Sequence, residues 1–332
     1  MARKTYEENM TIKLRSFTPA MKCFCDQGRI AEALAVEREA LSHGIDMEEE
    51  QYIMLLDAMC ATGAAEEADK LLLRIQGEVR GVCEDFLGSV ERWFASGAAG
   101  EAAGGAWLLE RVKPDKETGL VRCNAGKASF PSVELAAFDL TDKEFATIAH
   151  GLSVEVGRKG DKKNARLFND FRNWAAKKRP MIVVDGANVA HHGQNTGHLH
   201  FSYSQVEHVL KHLEAEHKEI PHLILHVRHT YDKYLMPKQQ KLVKKWKERK
   251  QLSTTPAREN DDYYWLCASV LAGKGGLVVT NDAMHDHQWA GFFSPRLLRR
   301  WKDRHRATFD VTLHGEVKIR YPEPFTTCIQ RG

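Results

Sequence analysis

Apolar side chains in the first hundred residues recur at helical spacing, and the pattern itself repeats. The segment CDQGRIAEAL at 25–34 returns 35 positions later as CATGAAEEAD at 60–69, and a looser copy, ASGAAGEAA, begins at Ala95. Each copy joins a helix-like stretch, a glycine turn and an alanine-rich second helix. One such hairpin cannot cover its own apolar face, so consecutive hairpins must stack into a continuous core. The pattern predicts an all-α helical-hairpin solenoid.

The pattern changes after this region. Residues 107–145 are short, glycine-punctuated and alternating in places, which predicts a small β-containing connector. Residues 140–171 read as helical, with Thr141 as the N-cap and Glu144 three positions later in a capping-box arrangement. A basic run and the helix breaker Pro180 then precede a new domain.

The new domain alternates between strand and helix signals. Strands are predicted at 181–184, 222–227 and 277–280, and helices at 204–218, 238–250 and 262–272. Alternation of this kind is typical of a parallel sheet with helices on both faces. The sequence therefore predicts a helical solenoid followed by an α/β domain with a parallel sheet.

Aspartates follow the predicted strands where each strand ends. Asp185 and Asp282 come just past apolar runs, at the carboxyl edge where open α/β sheets bind ligands. Asp261 and Asp262 form an adjacent pair at the start of a helix, and Asp286 shares a face with Asp282 if that turn is helical. We expect these five carboxylates to converge.

Clustered carboxylates raise each other's pKa values, so such a site needs cations. Oxygen ligands favour Mg²⁺ or Mn²⁺, and two ions would stabilise the attacking and leaving oxygens of a phosphodiester displacement, with an ion-held water as nucleophile. The structural alternative is that each aspartate caps a helix, as Asp261 would cap the helix that Asp262 enters. Capping does not predict that the aspartates meet in space.

Composition narrows the class of protein. The chain has 332 residues, 43% of them hydrophobic, enough for two domains with their own cores. It has no apolar run long enough for a membrane span, no signal-peptide pattern, and seven cysteines without repeated CxxC pairs. These features predict an intracellular protein with reduced thiols and no membrane partner.

The net charge of +3 is too small to indicate a partner, but the basic residues are clustered. Residues 233–250 hold eight lysines or arginines against one acidic residue, and a second basic set spans 296–306. The residues predicted to contact RNA phosphates are Lys238, Lys241, Lys244, Lys245, Arg299 and Arg300. The alternative is a solvated helix face.

Two further groups of residues have structural interpretations. Trp265 follows the acidic pair at helical spacing, which favours core packing over base stacking. The run HHGQNTGHLH at 191–200 holds four histidines, but its glycine and asparagine content predicts a loop, and a catalytic role is disfavoured.

The 35-residue period and the pattern G-x-x-x-E-A at 28–33 and 63–68 resemble pentatricopeptide repeats, which bind single-stranded RNA. The resemblance places Ile53 about where sequence-reading repeats use a polar residue. Because isoleucine offers no hydrogen bond, recognition of shape and backbone is expected instead of a base code. A tetratricopeptide-like protein scaffold remains the alternative for the repeats alone.

Three motifs, DGANVA at 185–190, ENDDYYW at 259–265 and TNDAMHDH at 280–287, resemble the NYN metallonuclease domain of protein-only RNase P. The order of parts is also similar, with repeats at 1–106, a connector at 107–145 and a nuclease domain at 146–307. Residues 308–332 are expected to return to the connector. By position, the resemblance implies the metal ligands Asp185, Asp261, Asp262 and Asp282, an outer acid Asp286, and Asn188 orienting the site through its amide.

The connector departs from that family, which holds a structural zinc with a CxxC, a histidine and a cysteine. This sequence has VRCNAG with Cys123 alone, and only His314 and Cys328 as further ligands. Three scattered residues make a poor zinc site. We expect the zinc to be absent and replaced by apolar contacts of Phe130, Leu135 and Phe138.

The resemblance implies an endoribonuclease that removes the 5′ leader of precursor tRNA with two Mg²⁺ or Mn²⁺ ions and leaves a 5′-phosphate on the tRNA. It would need neither an RNA subunit nor a protein partner, and nucleus or cytoplasm is favoured with an organelle left open. Two alternatives remain: an NYN nuclease acting on other structured RNA, and a catalytically silent RNA-binding adaptor.

Overall fold

The computed structural model divides the chain into two compact units. One comprises Met1–Phe138 with Pro324–Gly332, and the other Asp139–Glu323. The residues that the structure describes are 13–75, 83–103, 112–122, 132–159, 162–193, 201–284, 295–312 and 314–326.

Helical hairpins form most of the first unit. Its described helices pair as α1 and α2 (Thr18–Asp26, Ile30–Ser42), α3 and α4 (Glu49–Thr62, Ala65–Ile75), and α5 and α6 (Glu84–Phe94, Gly97–Ala103). The starts of α2 and α4 lie one 35-residue period apart, and Gly28 and Gly63 turn the chain with φ of +68° and +70°. Glycine adopts this conformation at little cost. The predicted solenoid is confirmed.

Ion pairs connect successive hairpins. Glu37 on α2 is fully buried, and the Arg74 Nη2 on α4 donates to both of its carboxylate oxygens at 2.7 Å. Arg92 on α5 donates through Nη2 to both oxygens of Asp57 on α3 at 2.9 Å. Such pairing offsets the cost of burying a carboxylate. Ile53 is half-buried and packs against the hydrophobic core of the helical hairpins.

The predicted connector lies in the first unit as far as Phe138, and the C-terminal segment holds this part. Strands β1 (Leu120–Val121) and β2 (Val133–Glu134) pair antiparallel. The Thr326 N–H donates to the Ala136 carbonyl at 3.0 Å, and the Phe138 N–H donates to the Thr326 Oγ1 at 2.8 Å. The backbone and the hydroxyl of Thr326 therefore hold the connector at residues 136–138.

The structure describes only some of the residues predicted to hold zinc or to replace it with apolar contacts. Leu135 and Phe138 are half-buried, and His314 is exposed in the second unit. Cys123, Phe130 and Cys328 lie outside the described residues. Of the segment 308–332, residues up to 320 contribute strands to the second unit, and residue 326 pairs with the connector.

The second unit opens with two helices where the sequence predicted one. These are α7 (Asp142–Lys159) and α8 (Lys162–Lys178), and the sequence between them contains Gly160, a poor helix former. The predicted capping box at the start of α7 is confirmed. The Thr141 N–H donates to Glu144 Oε2 at 2.7 Å, and the Glu144 N–H donates to Thr141 Oγ1 at 3.3 Å.

A six-stranded sheet in the order β5-β4-β3-β6-β7-β8 forms the centre of this unit. Its strands are β3 (Ile182–Asp185), β4 (His222–His226), β5 (Leu252–Thr255), β6 (Leu277–Val279), β7 (Arg306–Val311) and β8 (Val317–Arg320). All pairs are parallel except β7 with β8. The three strands predicted above are confirmed, whereas the polar edge strand β5 and the short edge strand β8 were not predicted.

Helices cover both faces of the sheet. They are α9 (Gly186–His191), α10 (Tyr203–His217), α11 (Pro237–Glu248), α12 (Asp261–Ala272) and α13 (Pro295–His305). Successive residues of a strand face opposite sides, so Val183 joins a core with Trp265, while Val184 joins another with Trp246. No helix in the described ranges is both long and apolar enough to cross a bilayer.

Close packing behind the end of β3 requires glycine at position 186. A Cβ there would lie 2.8 Å from the Ile224 carbonyl oxygen and 2.4 Å from a Leu225 methyl carbon. We predict that Gly186→Ala lowers the free energy of unfolding by about 1–3 kcal/mol in urea denaturation, because strand β4 cannot move away.

Gly157 in α7 is the matched control, because a Cβ at that position would meet nothing within 4 Å. Gly157→Ala should raise the free energy of unfolding by about 0.5–1 kcal/mol, the usual helix-interior effect. Equal stability changes of the same sign in the two variants would contradict this account of position 186.

Candidate active site

A cavity of about 360 Å³ lies at the carboxyl edge of the sheet. Because β3 and β6 are adjacent and parallel, both strands end at this edge, where α12 also begins. The lining residues are Asp185, Ala187, Asn188, His191, His192, Asp261, Asp262, Asn281 and Asp282. Four of the five predicted aspartates are thus brought together. The fifth, Asp286, lies outside the described residues.

Asp185 is the last residue of β3 and is 4% exposed. Its Oδ1 accepts a hydrogen bond from the Asn188 N–H at 3.0 Å, and its Oδ2 accepts one from the Thr280 hydroxyl at 2.8 Å. Asp185 therefore caps α9 and lines the cavity as well. Burial, with the charges of Asp261 and Asp262, raises the pKa of Asp185 to about 8.

The acidic pair at the start of α12 does not cap that helix. The cap is Asn260, whose side-chain oxygen accepts from the Asp262 N–H at 3.0 Å. The capping alternative for Asp261 is therefore wrong. Asp262 accepts a hydrogen bond from the Trp265 Nε1–H at 3.1 Å, and Trp265 is fully buried, as predicted. This contact orients one carboxylate of the pair.

Asp282 lies in a non-helical loop after β6. Its N–H donates to the Thr280 Oγ1 at 3.1 Å, and its Oδ1 accepts from the Met284 N–H at 2.8 Å. Met284 has a φ of +54°, so the described part of this turn is not helical. The condition under which Asp286 would share a helix face with Asp282 is therefore not met up to residue 284. The Arg306 guanidinium donates to the Asp282 carbonyl oxygen at 2.8 Å and holds the loop.

Asn281, which was not predicted as a site residue, joins the end of β6 to β7 and to Asn188 in the wall of the cavity. Its amide donates to the Phe309 carbonyl at 2.8 Å and accepts from the Phe309 N–H at 3.0 Å, while its backbone N–H donates to the Asn188 Oδ1 at 2.8 Å. The amide nitrogen also donates to His192 Nδ1 at 3.2 Å. His192 therefore carries its proton on Nε2, which donates to Asp310 at 3.1 Å.

Two histidines from the predicted loop lie at the cavity. His191 ends α9 and His192 follows it, so the predicted loop does not begin at 191. Both side chains line the cavity with the aspartates. A signal was present in the sequence, because position 191 is helically spaced from Asn188. Residues 194–200 lie outside the described part of the chain.

The donor set fits a hard divalent cation. Within the described residues, no three His, Cys, Asp or Glu side chains group closely enough to hold an ion alone. Mg²⁺ is commonly bound through one or two carboxylates, with water and substrate phosphate completing the shell. Burial first and the charges of Asp261 and Asp262 second raise the pKa of Asp185, and a cation would offset both effects by stabilising the carboxylate.

The residues predicted to contact RNA fall into two groups. Lys238, Lys241 and Lys244 are exposed on α11, and Arg299 is exposed on α13. Helix α11 connects the parallel strands β4 and β5, so its first residues lie near the carboxyl edge of the sheet. Lys238 and Lys241 are therefore the lysines of this set nearest to the acidic cavity.

Lys245 and Arg300 form ion pairs with acidic residues of neighbouring helices. Lys245 forms an ion pair with Glu207, which also accepts a hydrogen bond from the Trp246 indole at 2.8 Å. Arg300 forms an ion pair with Glu144 at the start of α7. These pairs join neighbouring helices, and their part in RNA contact stays a prediction.

Comparison with known proteins agrees with this architecture. Residues 123–332 match the family described as protein-only RNase P, and residues 2–101 match the pentacotripeptide-repeat region of that family. The chain belongs to the protein-only RNase P family. The helical repeats followed by an α/β domain with a mostly parallel sheet are thus the family architecture.

Similar proteins and structures come from Arabidopsis thaliana. Proteinaceous RNase P 2 is 29% identical over 96% of this chain and 65% of its own length, and proteinaceous RNase P 3 is 30% identical over 96% and 60%. The crystal structure of nuclear proteinaceous RNase P 2 has a TM-score of 0.68 and 29% identity, and the match covers 97% of this chain and 70% of that one. The chain thus spans about three fifths of the length of these curated relatives.

The raised pKa of Asp185 predicts a pH-dependent stability in the metal-free protein. From about pH 4, the ordinary pKa of a carboxyl group, up to about pH 8, the folded state retains a proton that the unfolded state has lost. The contribution of Asp185 to the free energy of unfolding is therefore fully present below pH 4 and is lost as the pH rises through 8. In EDTA, Asp185→Asn should become progressively more stable than the wild type over this range by thermal unfolding.

Adding Mg²⁺ should stabilise the wild type at pH 8 more than it stabilises Asp185→Asn, because the variant lacks one of the four proposed ligands and the buried charge that the cation neutralises. A wild-type unfolding temperature that does not respond to Mg²⁺, or one that rises with pH in EDTA relative to the variant, would contradict the assignment.

Proposed function

We propose that this chain is an endoribonuclease that removes the 5′ leader of precursor tRNA by metal-dependent hydrolysis and leaves a 5′-phosphate on the tRNA. The observation that carries the proposal is the cavity in which carboxylates from β3, α12 and the loop after β6 meet, in a member of the protein-only RNase P family. All four acids are present, which argues against a catalytically silent adaptor.

The proposed ligands of two Mg²⁺ or Mn²⁺ ions are Asp185, Asp261, Asp262 and Asp282. When bound, such ions act as Lewis acids toward the phosphoryl oxygens and lower the pKa of water. A structural zinc is not part of the proposal.

The surrounding residues orient the ligands and the substrate. The Asn188 N–H and the Thr280 hydroxyl fix the two oxygens of Asp185, and the Trp265 indole fixes one oxygen of Asp262. Orientation of this kind reduces the reorganisation needed when charge develops in the transition state. We assign Asn188 and Asn281 to positioning, because the Asn188 amide oxygen accepts from the Asn281 N–H after β6 and the Asn281 amide bonds the backbone of Phe309 on β7.

Substrate binding is proposed to use the helical repeats and the exposed face of α11. Lysine contacts to phosphates supply salt-dependent affinity without sequence information. Near the start of α11, Tyr234 is 69% exposed and Met236 is 70% exposed, and the Lys233 ammonium lies 4.6 Å from the Tyr234 ring centroid. An exposed aromatic ring beside lysines suits contact with nucleic acid.

The proposed partner is precursor tRNA, with no RNA subunit and no accessory protein, and the proposed compartment is nuclear or cytoplasmic. The names of the relatives support an intracellular compartment. Proteinaceous RNase P 2 is named as nuclear, and proteinaceous RNase P 1 is named as chloroplastic/mitochondrial.

The proposal is tested with a 5′-extended precursor tRNA in Mg²⁺ and mapping of the cut ends. We expect a single cut that releases the leader and leaves a 5′-phosphate on the tRNA. Asp261→Asn should lower the cleavage rate at least about 100-fold, because a metal ligand is lost, while binding in EDTA is retained.

Asp170→Asn, at an exposed position on α8, is the matched control and should cleave at the wild-type rate. Cleavage by Asp261→Asn at the control rate would remove the metal role. Equally fast cutting of structured RNAs that lack a tRNA shape would instead favour the broader nuclease alternative.

The α11 lysines should govern salt dependence. In Lys238→Gln with Lys241→Gln, precursor tRNA affinity should fall, and the slope of log affinity against log salt should decrease by about one for each lysine. Lys274→Gln, before β6 at the opposite edge of the sheet, is the control and should leave the slope unchanged. An unchanged slope in the double variant would exclude these lysines from the interface.

A further inference from the structure

A second cavity lies at the amino edge of the same sheet, opposite the aspartates. It has a volume of about 580 Å³ and is bordered by Pro180, Ile220 and Gln251, which precede β3, β4 and β5. Its cationic lining residues are Lys178, Arg179, Lys218, Arg249 and Lys250, against the single acidic residue Glu219. The length of β3, four residues at about 3.3 Å each, separates the two edges.

Three of these cations occupy an unfavourable backbone conformation. Arg179, Lys218 and Lys250 follow α8, α10 and α11, and their φ angles are 49°, 59° and 54°. Glycine is the usual residue at such positions, and a side chain there is strained. Strained residues of this kind collect at binding sites.

Helix ends explain part of this charge. A cation is favoured near the negative end of a helix dipole, and the Lys218 Nζ donates to the Ala215 carbonyl at 2.5 Å. Arg249 is paired with Glu214. The dipoles do not explain why the cations after three different helices border one cavity, nor why that cavity is larger than the acidic one.

The rest of the wall supplies aromatic and hydrogen-bonding groups. Trp174 is half-buried, and its ring centroid lies 4.4 Å from that of His222, which donates to or accepts from the Ser253 hydroxyl at 2.9 Å. Gln251 is 2% exposed, and its Oε1 has no hydrogen-bond partner among the described residues. That oxygen is closed to solvent, so the aromatic pair of Trp174 and His222 is the part of the wall that a ligand can reach.

We propose that this basic cavity binds a phosphorylated nucleoside. The lysines and arginines would neutralise the phosphate, as charge-assisted hydrogen bonds to anions are strong. A volume of about 580 Å³ is in the range of small-molecule pockets and far exceeds a single phosphate ion. The aromatic pair of Trp174 and His222 then forms the part of the wall that would meet the base.

The source of the phosphate is either a free mononucleotide or the 5′ end of an RNA strand. Both present the same chemistry to the cavity, and the experiment below distinguishes them. The proposal does not depend on the proposed nuclease activity, because the two cavities lie at opposite edges and share no residue.

The test is isothermal titration of the full chain with AMP in EDTA, where the acidic cavity repels phosphate. We expect saturable binding near one site per chain, weakened by salt, with adenosine binding much more weakly than AMP. In Lys218→Gly with Lys250→Gly, the affinity for AMP should fall about tenfold or more. Glycine relieves the left-handed backbone, so the unfolding temperature should not fall, and misfolding cannot explain the loss.

Arg258→Gly is the matched control, since it makes the same kind of change at a φ of 71° outside the cavity. It should leave AMP affinity unchanged. A short 5′-phosphorylated RNA forms the second arm: RNA binding that is tighter than AMP and lost in the double variant would assign the phosphate to an RNA end. Absence of saturable binding by both probes, or an equal loss in Arg258→Gly, would overturn the proposal.

Discussion

Electrostatic repulsion among buried and half-buried carboxylates is the constraint on which the α/β unit depends. Asp185 is withdrawn from water at the end of the central strand and faces Asp261 and Asp262, so its charged form is disfavoured without a cation. The fold holds these groups together through contacts from Asn188, Thr280 and the buried core. Clustering of this kind costs stability, which is a common arrangement at functional sites and is consistent with the proposed binding of a divalent metal.

The parallel sheet produces this arrangement and also separates acidic side chains at one edge of the α/β unit from basic side chains at the opposite edge. Strand carboxyl ends gather side chains at one edge, and there the chain places four aspartates. Helix ends meet the opposite edge, where five cationic side chains border the second cavity. The repeat unit follows a different rule, in which each hairpin is stable only through its neighbours and pairs such as Glu37 with Arg74 connect them.

Much of the fold and of the candidate site could be predicted from patterns that are local in sequence. Apolar runs gave strands β3, β4 and β6, and the positions of Asp185 and Asp282 after those runs implied one shared edge. The 35-residue period gave the hairpins. Edge strands β5 and β8 were missed because their sequences are short and polar or alternating, and a strand at an edge needs little burial to form.

What could not be predicted depends on contacts between distant segments. Nothing local shows that Asn260 is the cap of α12 while Asp261 is not, because both residue types are good caps. The hydrogen bonds of Asn281 with β7 need the sheet order, and the ion pairs of Lys245 and Arg300 need the packing of neighbouring helices. Exposure of a basic side chain is a tertiary property that a charge count does not contain.

The central claim is that aspartates from three separate elements share divalent cations at the carboxyl edge of the sheet. A crystal structure of the full chain grown with Mn²⁺, with anomalous scattering recorded at the manganese edge, tests it most directly. The account predicts manganese within about 2.1–2.2 Å of a carboxylate oxygen in the cavity that holds Asp185, Asp261 and Asp282. Manganese bound only elsewhere, or a cavity without metal at saturating Mn²⁺, would contradict it.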